Sequence, residues 1–244
     1  MNNTALSFDA ANPPRKGTRS GVGDHIYLVL REAIVSLELK PGQALDKQAL
    51  SGRFGVSRAP IYDAFTRLQA EGLVDVFPQR GTTVSWIKFS DARENMFLRR
   101  AIEVEAVRAI TRNLSGDHLE ALKQNLRYQR AAVETGDGAG FHRFDLEFHA
   151  VVFEALGFER VKSFAETARL GLDRVRRLLN TRRRQEITVA EHQAILDEIQ
   201  QRNVNAAANA MAAHLDAVMK ELETFAAAHP ELFTDLQTKP NGQS

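Results

Sequence analysis

Ala49-Leu50-Ser51-Gly52-Arg53-Phe54-Gly55-Val56-Ser57-Arg58-Ala59-Pro60-Ile61-Tyr62-Asp63-Ala64-Phe65-Thr66-Arg67-Leu68 is the most informative run in this chain. Ala49, Leu50 and Phe54 mark the apolar side of a short helix, and Gly55 stops it. Ile61, Ala64, Phe65 and Leu68 form the stripe of the next helix, closed by Gly72. Gly55 can take the left-handed backbone that a tight turn needs. Ser57 is placed to cap the free N–H groups that open the later helix. Helix, Gly-Val-Ser turn and helix at this spacing make a helix-turn-helix. Upstream, Ile26, Leu30, Ala33, Ile34 and Leu37 recur at helical spacing until Lys40-Pro41-Gly42. Downstream, Leu73 to Phe77 and Thr82 to Trp86 read as short strands joined by Pro78-Gln79-Arg80-Gly81. Three helices and a β-hairpin therefore fill residues 24–86.

The chain has 244 residues, 43% of them hydrophobic and 26% charged. At about 150 residues per domain this is one large or two small domains. Lys plus Arg is 32 and Asp plus Glu 31, a net charge of +1, which excludes nucleic-acid binding by bulk positive charge. There is no cysteine. That excludes disulfides, zinc thiolates, iron–sulfur clusters and a thiol nucleophile, and fits a reducing, cytoplasmic setting. No run approaches about 18 apolar residues, so no transmembrane helix and no membrane partner are expected. Residues 1–23 lack the apolar core of a signal peptide. They carry Pro13, Pro14, Gly17, Gly21 and Gly23, with Arg15, Lys16 and Arg19 opposed only by Asp9. They read as a solvated arm, with a DNA-hugging arm as the alternative.

After Trp86 the hairpin signals stop. Apolar periodicity predicts helices at roughly 90–113, 115–135, 140–155, 158–180, 188–201 and 204–227. Residues 87–228 form a second, all-helical domain, and 229–244 a polar, frayed tail. The fold class is mainly α: an N-terminal winged helix-turn-helix followed by a helical bundle.

The chemistry of the first unit points to DNA. Arg58, at the start of the third helix, is a natural bidentate donor to guanine. The hairpin tip, with Gln79 and Arg80, has the shape of a wing that reaches a groove or phosphates. Charge does not distinguish this from a protein-binding three-helix unit, because the basic residues of 24–86 are matched by acidic ones. Leu39-Lys40-Pro41-Gly42, then Phe54 through Pro60, then Arg67-Leu68-Gln69-Ala70-Glu71-Gly72-Leu73-Val74, then Arg80-Gly81, resemble the GntR family of bacterial transcription regulators. The resemblance implies a winged helix-turn-helix that binds a palindromic operator as a homodimer. It also implies DNA contacts from Ser57, Arg58 and Gly81. Where the family carries two further DNA-contacting arginines, this chain has Gln48 and Tyr62. Gln can pair with adenine, and Tyr can reach a phosphate or a thymine methyl.

In the second domain, His149, His192 and His214 each lie on the apolar face of a predicted helix. A lone histidine there is often a core residue bonded to backbone. Three such faces favour convergence, because each buried imidazole needs a partner. Asp145 precedes His149 by four residues, on the same helix face. One carboxylate and three neutral imidazoles suit a divalent ion such as Zn²⁺ or Ni²⁺. The resulting positive centre favours an anionic ligand such as a carboxylate. His142 is a possible mouth residue.

Phe144-Asp145-Leu146-Glu147-Phe148-His149, Glu191-His192-Gln193-Ala194-Ile195-Leu196-Asp197 and Met211-Ala212-Ala213-His214-Leu215 resemble the helical FCD ligand-binding domain of the FadR subfamily. The resemblance implies metal ligation by Asp145, His149, His192 and His214. It also implies a pocket-facing Arg99, four residues before Glu103, that binds a small carboxylate effector. Gly157-Phe158 departs from the family's Gly-Asn. The cluster Arg174, Arg176, Arg177, Arg182, Arg183 and Arg184 reads as a solvated helix end and loop, with an effector contact from one member as the alternative. The expected function is an effector-modulated transcription regulator and not an enzyme. The rival is a metal-dependent hydrolase or oxygenase fused to a DNA-binding module.

Overall fold

The computed structural model describes residues 19–236. The part of the expected arm over 1–18, with Arg15 and Lys16, lies outside the described residues. The described chain falls into two units, one up to Lys88 together with the segment from Pro230, the other Phe89–His229.

The first unit contains α1 (Arg19–Val35), α2 (Lys47–Phe54), α3 (Arg58–Ala70), β1 (Val74–Phe77) and β2 (Gly81–Val84). Helix α1 starts earlier than the pattern from Asp24 predicts. The extra turn has a packing partner: Val22 joins the core, and Gly23 lies so close to α3 that a Cβ there would stand 2.8 Å from Asp63 Oδ2. Helix α1 also ends earlier, at Val35, where Leu39 donates its N–H to the Ala33 carbonyl at 2.8 Å. Leu30, Ile34, Leu50, Ile61, Ala64 and Leu68 are fully buried between the three helices. Each such aliphatic side chain contributes about 1.5–3 kcal/mol of burial.

The hairpin is antiparallel, with Val74 opposite Val84 and Phe77 opposite Gly81. The outer edge of β2 is covered by the segment before α2. Gly42 donates to the Val84 carbonyl at 2.8 Å, and Leu45 to that of Thr82 at 2.8 Å. Gly42 has φ +79, and a Cβ there would stand 2.7 Å from Trp86 Cζ2, so only glycine fits beneath the indole.

The second unit comprises α4 (Phe89–Asn113), α5 (Gly116–Thr135), α6 (Gly138–Leu156), α7 (Glu159–Leu170), α8 (Asp173–Leu179), α9 (Arg182–Gln200) and α10 (Val204–Ala228). Helix α4 packs along α10, α5 along α6, and α9 between α5 and α10. The helix predicted over roughly 158–180 is two helices. The break falls at Gly171-Leu172, where the Asn95 side chain fills the space of a Cβ at Gly171. Helix α9 begins at Arg182, a turn and a half before its apolar stripe, because Thr181 accepts the Arg184 N–H at 3.3 Å as its cap.

The segment after His229 is not frayed over its described part. Pro230–Leu232 forms a 3-10 turn, and Phe233 is fully buried beside Ile87, whose carbonyl accepts the Thr234 N–H at 3.0 Å. One aromatic side chain in a polar stretch is enough to dock it.

Candidate functional site

The first candidate surface is the helix-turn-helix. Asp46 caps α2 by accepting the Ala49 N–H at 2.6 Å, and Gly55 ends it with φ 63 and ψ 32. Ser57 has N-cap backbone angles, φ −69 and ψ 171, but its side chain makes no capping hydrogen bond. The capping expected of Ser57 is not made, and Pro60, at the third helical position, has no N–H to offer it. The first N–H groups of α3 are thereby left to an external acceptor.

Gln48, Ser57, Arg58, Arg80 and Gly81 are exposed, and Tyr62 is 52% exposed. Lys47 sits over the Tyr62 ring at 4.3 Å, which ties the start of α2 to the exposed side of α3. Other cations of the unit are engaged internally. Arg67 pairs with Asp24 at 2.5 Å and stacks on Tyr27, and Arg31 pairs with Glu71 at 2.8 Å.

The second site is assembled by four helices. Helix α6 supplies Asp145 and His149, α9 supplies His192, α10 supplies His214 and α4 supplies Arg99. The three histidines are buried, and one ring nitrogen from each lies within 4.8 Å of the others. Asp145 Oδ1 stands 3.9 Å from His149 Nε2 and 3.8 Å from His192 Nε2. The structure thus brings the four expected metal ligands together, with Arg99 Nη2 3.5 Å from His149 Nε2.

The surrounding shell was only partly visible in the sequence. His192 Nδ1 lies 3.0 Å from Gln129 Oε1, and Gln129 is held in turn by Asn125 at 2.7 Å. His214 Nδ1 lies 2.7 Å from Glu191 Oε2, and Arg184 pairs with the same carboxylate. His149 Nδ1 stands 2.6 Å from Glu103 Oε2, while Arg99 Nε donates to Glu103 Oε1 at 2.6 Å. Arg176 pairs with Asp145 Oδ2. Each Nδ1 thus faces a side-chain oxygen of another helix or turn, which leaves the Nε2 atoms on the inner side. His192 Nε2 is buried without a hydrogen-bond partner among the described residues. An orphaned, inward-facing imidazole nitrogen beside two more imidazoles and a carboxylate is a donor set that fits a divalent ion.

Burial lowers all three imidazoles. His214 falls to about 4 despite its Glu191 contact, and His192 falls well below its ordinary range, with His214 and His149 adding to the effect. His149 is also lowered, chiefly by burial, against the pull of Glu103. Burial by itself would raise Glu103, but Arg99 and His149 hold it well below the usual carboxylate range. At neutral pH the imidazoles are therefore neutral, the state that metal ligation requires of them.

A cavity of about 50 Å³ adjoins these residues, lined among others by Arg99, His142, Asp145, Arg176 and His214. Arg99 is 1% exposed. Arg176 and Arg184 are turned inward, which corrects the reading of the basic cluster as solvated: buried Asp145 and partly buried Glu191 supply the anions that draw them in. Sequence reasoning missed Gln129 and Glu191, whose partners lie on other helices, and did not single out Arg184 within its basic run.

A helix-turn-helix with a wing, on one chain with a helical unit that holds a buried polar pocket, defines a DNA-binding transcription regulator. The model described as "Bacterial regulatory proteins, gntR family" matches residues 23–84, and that of the FCD domain matches residues 94–217. The chain belongs to the GntR family of bacterial regulators, with an FCD domain. It is 36% identical over 217 residues to an uncharacterized HTH-type transcriptional regulator from an unstable DNA locus of Streptomyces ambofaciens, covering 88% of this chain and 91% of that one. It is 29% identical over 215 residues to the HTH-type transcriptional repressor RspR of Escherichia coli, covering 88% and 94%. Among solved structures, E. coli McbR/YncC shares the fold with a TM-score of 0.70 at 18% identity, covering 83% of this chain and 97% of that one. A GntR regulator of Rhodococcus gives 0.71 at 20% identity, with the same coverage. Relatives and fold are those of transcription regulators and not of a metal-dependent hydrolase or oxygenase. Among the described residues, no helix is long and apolar enough to cross a membrane.

Proposed function

We propose that this regulator binds its operator as a homodimer and that a small organic acid, held at a divalent metal ion, modulates its operator affinity. Asp145, His149, His192 and His214 hold the ion, with zinc or nickel as the best chemical fit. Arg99 takes the acid's carboxylate. The observation that carries the reading is the convergence of three buried imidazoles on one point, each with its outer nitrogen facing the oxygen of a different side chain. A divalent ion held by one carboxylate and three neutral imidazoles keeps a net positive charge, which favours an anion beside buried Arg99.

On the DNA side, Arg58 reads a base edge, Gln48 and Tyr62 take the places of the family's arginines, and Ser57, Arg80 and Gly81 contact the backbone. Two recognition helices reach successive major grooves about 34 Å apart. Phe97, 73% exposed, and Leu98, 48% exposed, on α4 support a face for the second copy. Binding of the acid shifts operator affinity only by its differential affinity for the two arrangements of the dimer.

The test crosses metals with small carboxylates in a thermal-shift screen, then measures operator binding with and without the stabilising pair. A metal-dependent stabilisation that changes operator affinity is the expected result. Stabilisation by metal with no acid effect and no change in operator affinity would reduce the metal to a structural part.

A further inference from the structure

Helix α3 carries little open positive charge of its own. Its cations are Arg58 and Arg67, and Arg67 is engaged by Asp24 and by the Tyr27 ring. Asp63, exposed beside Tyr62, adds a negative charge. Tyr62 itself, 52% exposed, adds none.

A further cation reaches this surface from α2. Lys47, the first residue of α2, holds its ammonium 4.3 Å from the centre of the Tyr62 ring and 5.9 Å from that of Phe65. Tyr62 and Phe65, three positions apart, share one side of α3, so an exposed ring and a buried one make a corner for the ammonium. Asp46, its neighbour in sequence, turns its carboxylate to the Ala49 N–H at 2.6 Å. Among the described residues no carboxylate pairs with Lys47. A ring face attracts the ammonium but accepts no full set of hydrogen bonds, so N–H groups remain for another acceptor. In a helix-turn-helix the first helix crosses the DNA backbone while the start of the second faces base edges. Lys47 opens the first helix and lies against the exposed side of the second, which is where that docking brings a phosphate.

We propose that Lys47 contacts an operator phosphate and that Tyr62 is the platform that positions it. The pair delivers from two helices the charge that a basic residue at position 62 would deliver from one. The inference rests on the reading of α3 as the recognition helix. The ring confines the ammonium before DNA arrives, so less side-chain freedom is lost on binding.

The test measures binding across a salt series to two duplexes of equal length, one selected from a random-sequence pool by the wild-type protein and one of mixed sequence. K47M keeps the stem and removes the charge. Its plot of log affinity against log salt should be shallower by about 0.9 per half-site, a loss of about eightfold per half-site at roughly 0.1 M salt. The loss is the same on both duplexes, because a phosphate contact carries no sequence information. K47R keeps the wild-type slope, which separates lost charge from misfolding. Y62L removes the platform and should bind about threefold more weakly than Y62F, which keeps the ring. In the K47M background these two substitutions bind alike. An unchanged slope in K47M, a loss confined to the selected duplex, or the same gap between Y62L and Y62F without Lys47 overturns the assignment. If R58A still weakens binding to the selected duplex, the reading of α3 stands without it. If neither K47M nor R58A changes binding, both fall.

Discussion

The two units use charge in opposite ways. On the helix-turn-helix, Arg58 and Arg80 are exposed and face no carboxylate among the described residues. In the helical unit, Arg99 and Arg184 are buried, and each is locked to a carboxylate. Exposed cations are cheap to keep and screened by salt, so they serve a partner that brings its own dense charge. Buried ones are costly unless paired, so they fix the positions of other groups. The contrast separates a surface that acts through long-range attraction from a site that acts through geometry.

The largest expected effect breaks a buried pair. Glu103→Ala strands Arg99 and removes the acceptor beside His149, and should cost about 3–5 kcal/mol of stability in the helical unit. Chemical denaturation checks this, and a loss under about 1 kcal/mol would mean that the pair is not closed to water.

Next in size is pH. His214 is lowered from its ordinary 6.5 to about 4 in the fold. The unfolded chain therefore binds the proton first as pH falls. The stabilisation is intact above about 6.5 and lost progressively down to about 4, a change of about 3 kcal/mol. Denaturation midpoints of metal-free protein across this window should drop toward acid, and a flat profile in wild type would place His214 in contact with solvent.

Smaller effects are expected on the exposed surface. Arg58→Ala should cost about 1–3 kcal/mol of specific binding and relax one operator position. Arg80→Ala should weaken binding to all sequences and flatten the salt dependence. Binding assays at several salt concentrations separate the two, and identical behaviour of both variants would remove Arg58 from base readout. The smallest effect is at Ser57. Since it makes no capping bond, Ser57→Ala should change stability by under about 0.5 kcal/mol, against about 1 kcal/mol for a true cap, while still weakening operator binding.

The same contrast governs what the sequence reveals. The helix-turn-helix was legible because its parts are contiguous: Gly55 ends α2, and the stripe from Ile61 to Leu68 faces the core as its spacing requires. Asp145 and His149 were legible as a four-residue pair, and His192 and His214 as polar residues on apolar stripes. Gln129 and Glu191 were not, because what makes them matter is a contact across helices, 63 positions away for Gln129 with His192 and 23 for Glu191 with His214. Arg176 was hidden among like residues, since a charge run does not say which member turns inward. Gly171 misled for another reason. It holds an ordinary helical φ of −63, and its role is to leave room for Asn95, which no local pattern records.

Metal analysis of purified protein, wild type against a variant with alanine at His149, His192 and His214, tests the account most directly. About one divalent ion per chain in the wild type and almost none in the variant is the predicted result. Equal metal content in both would contradict it.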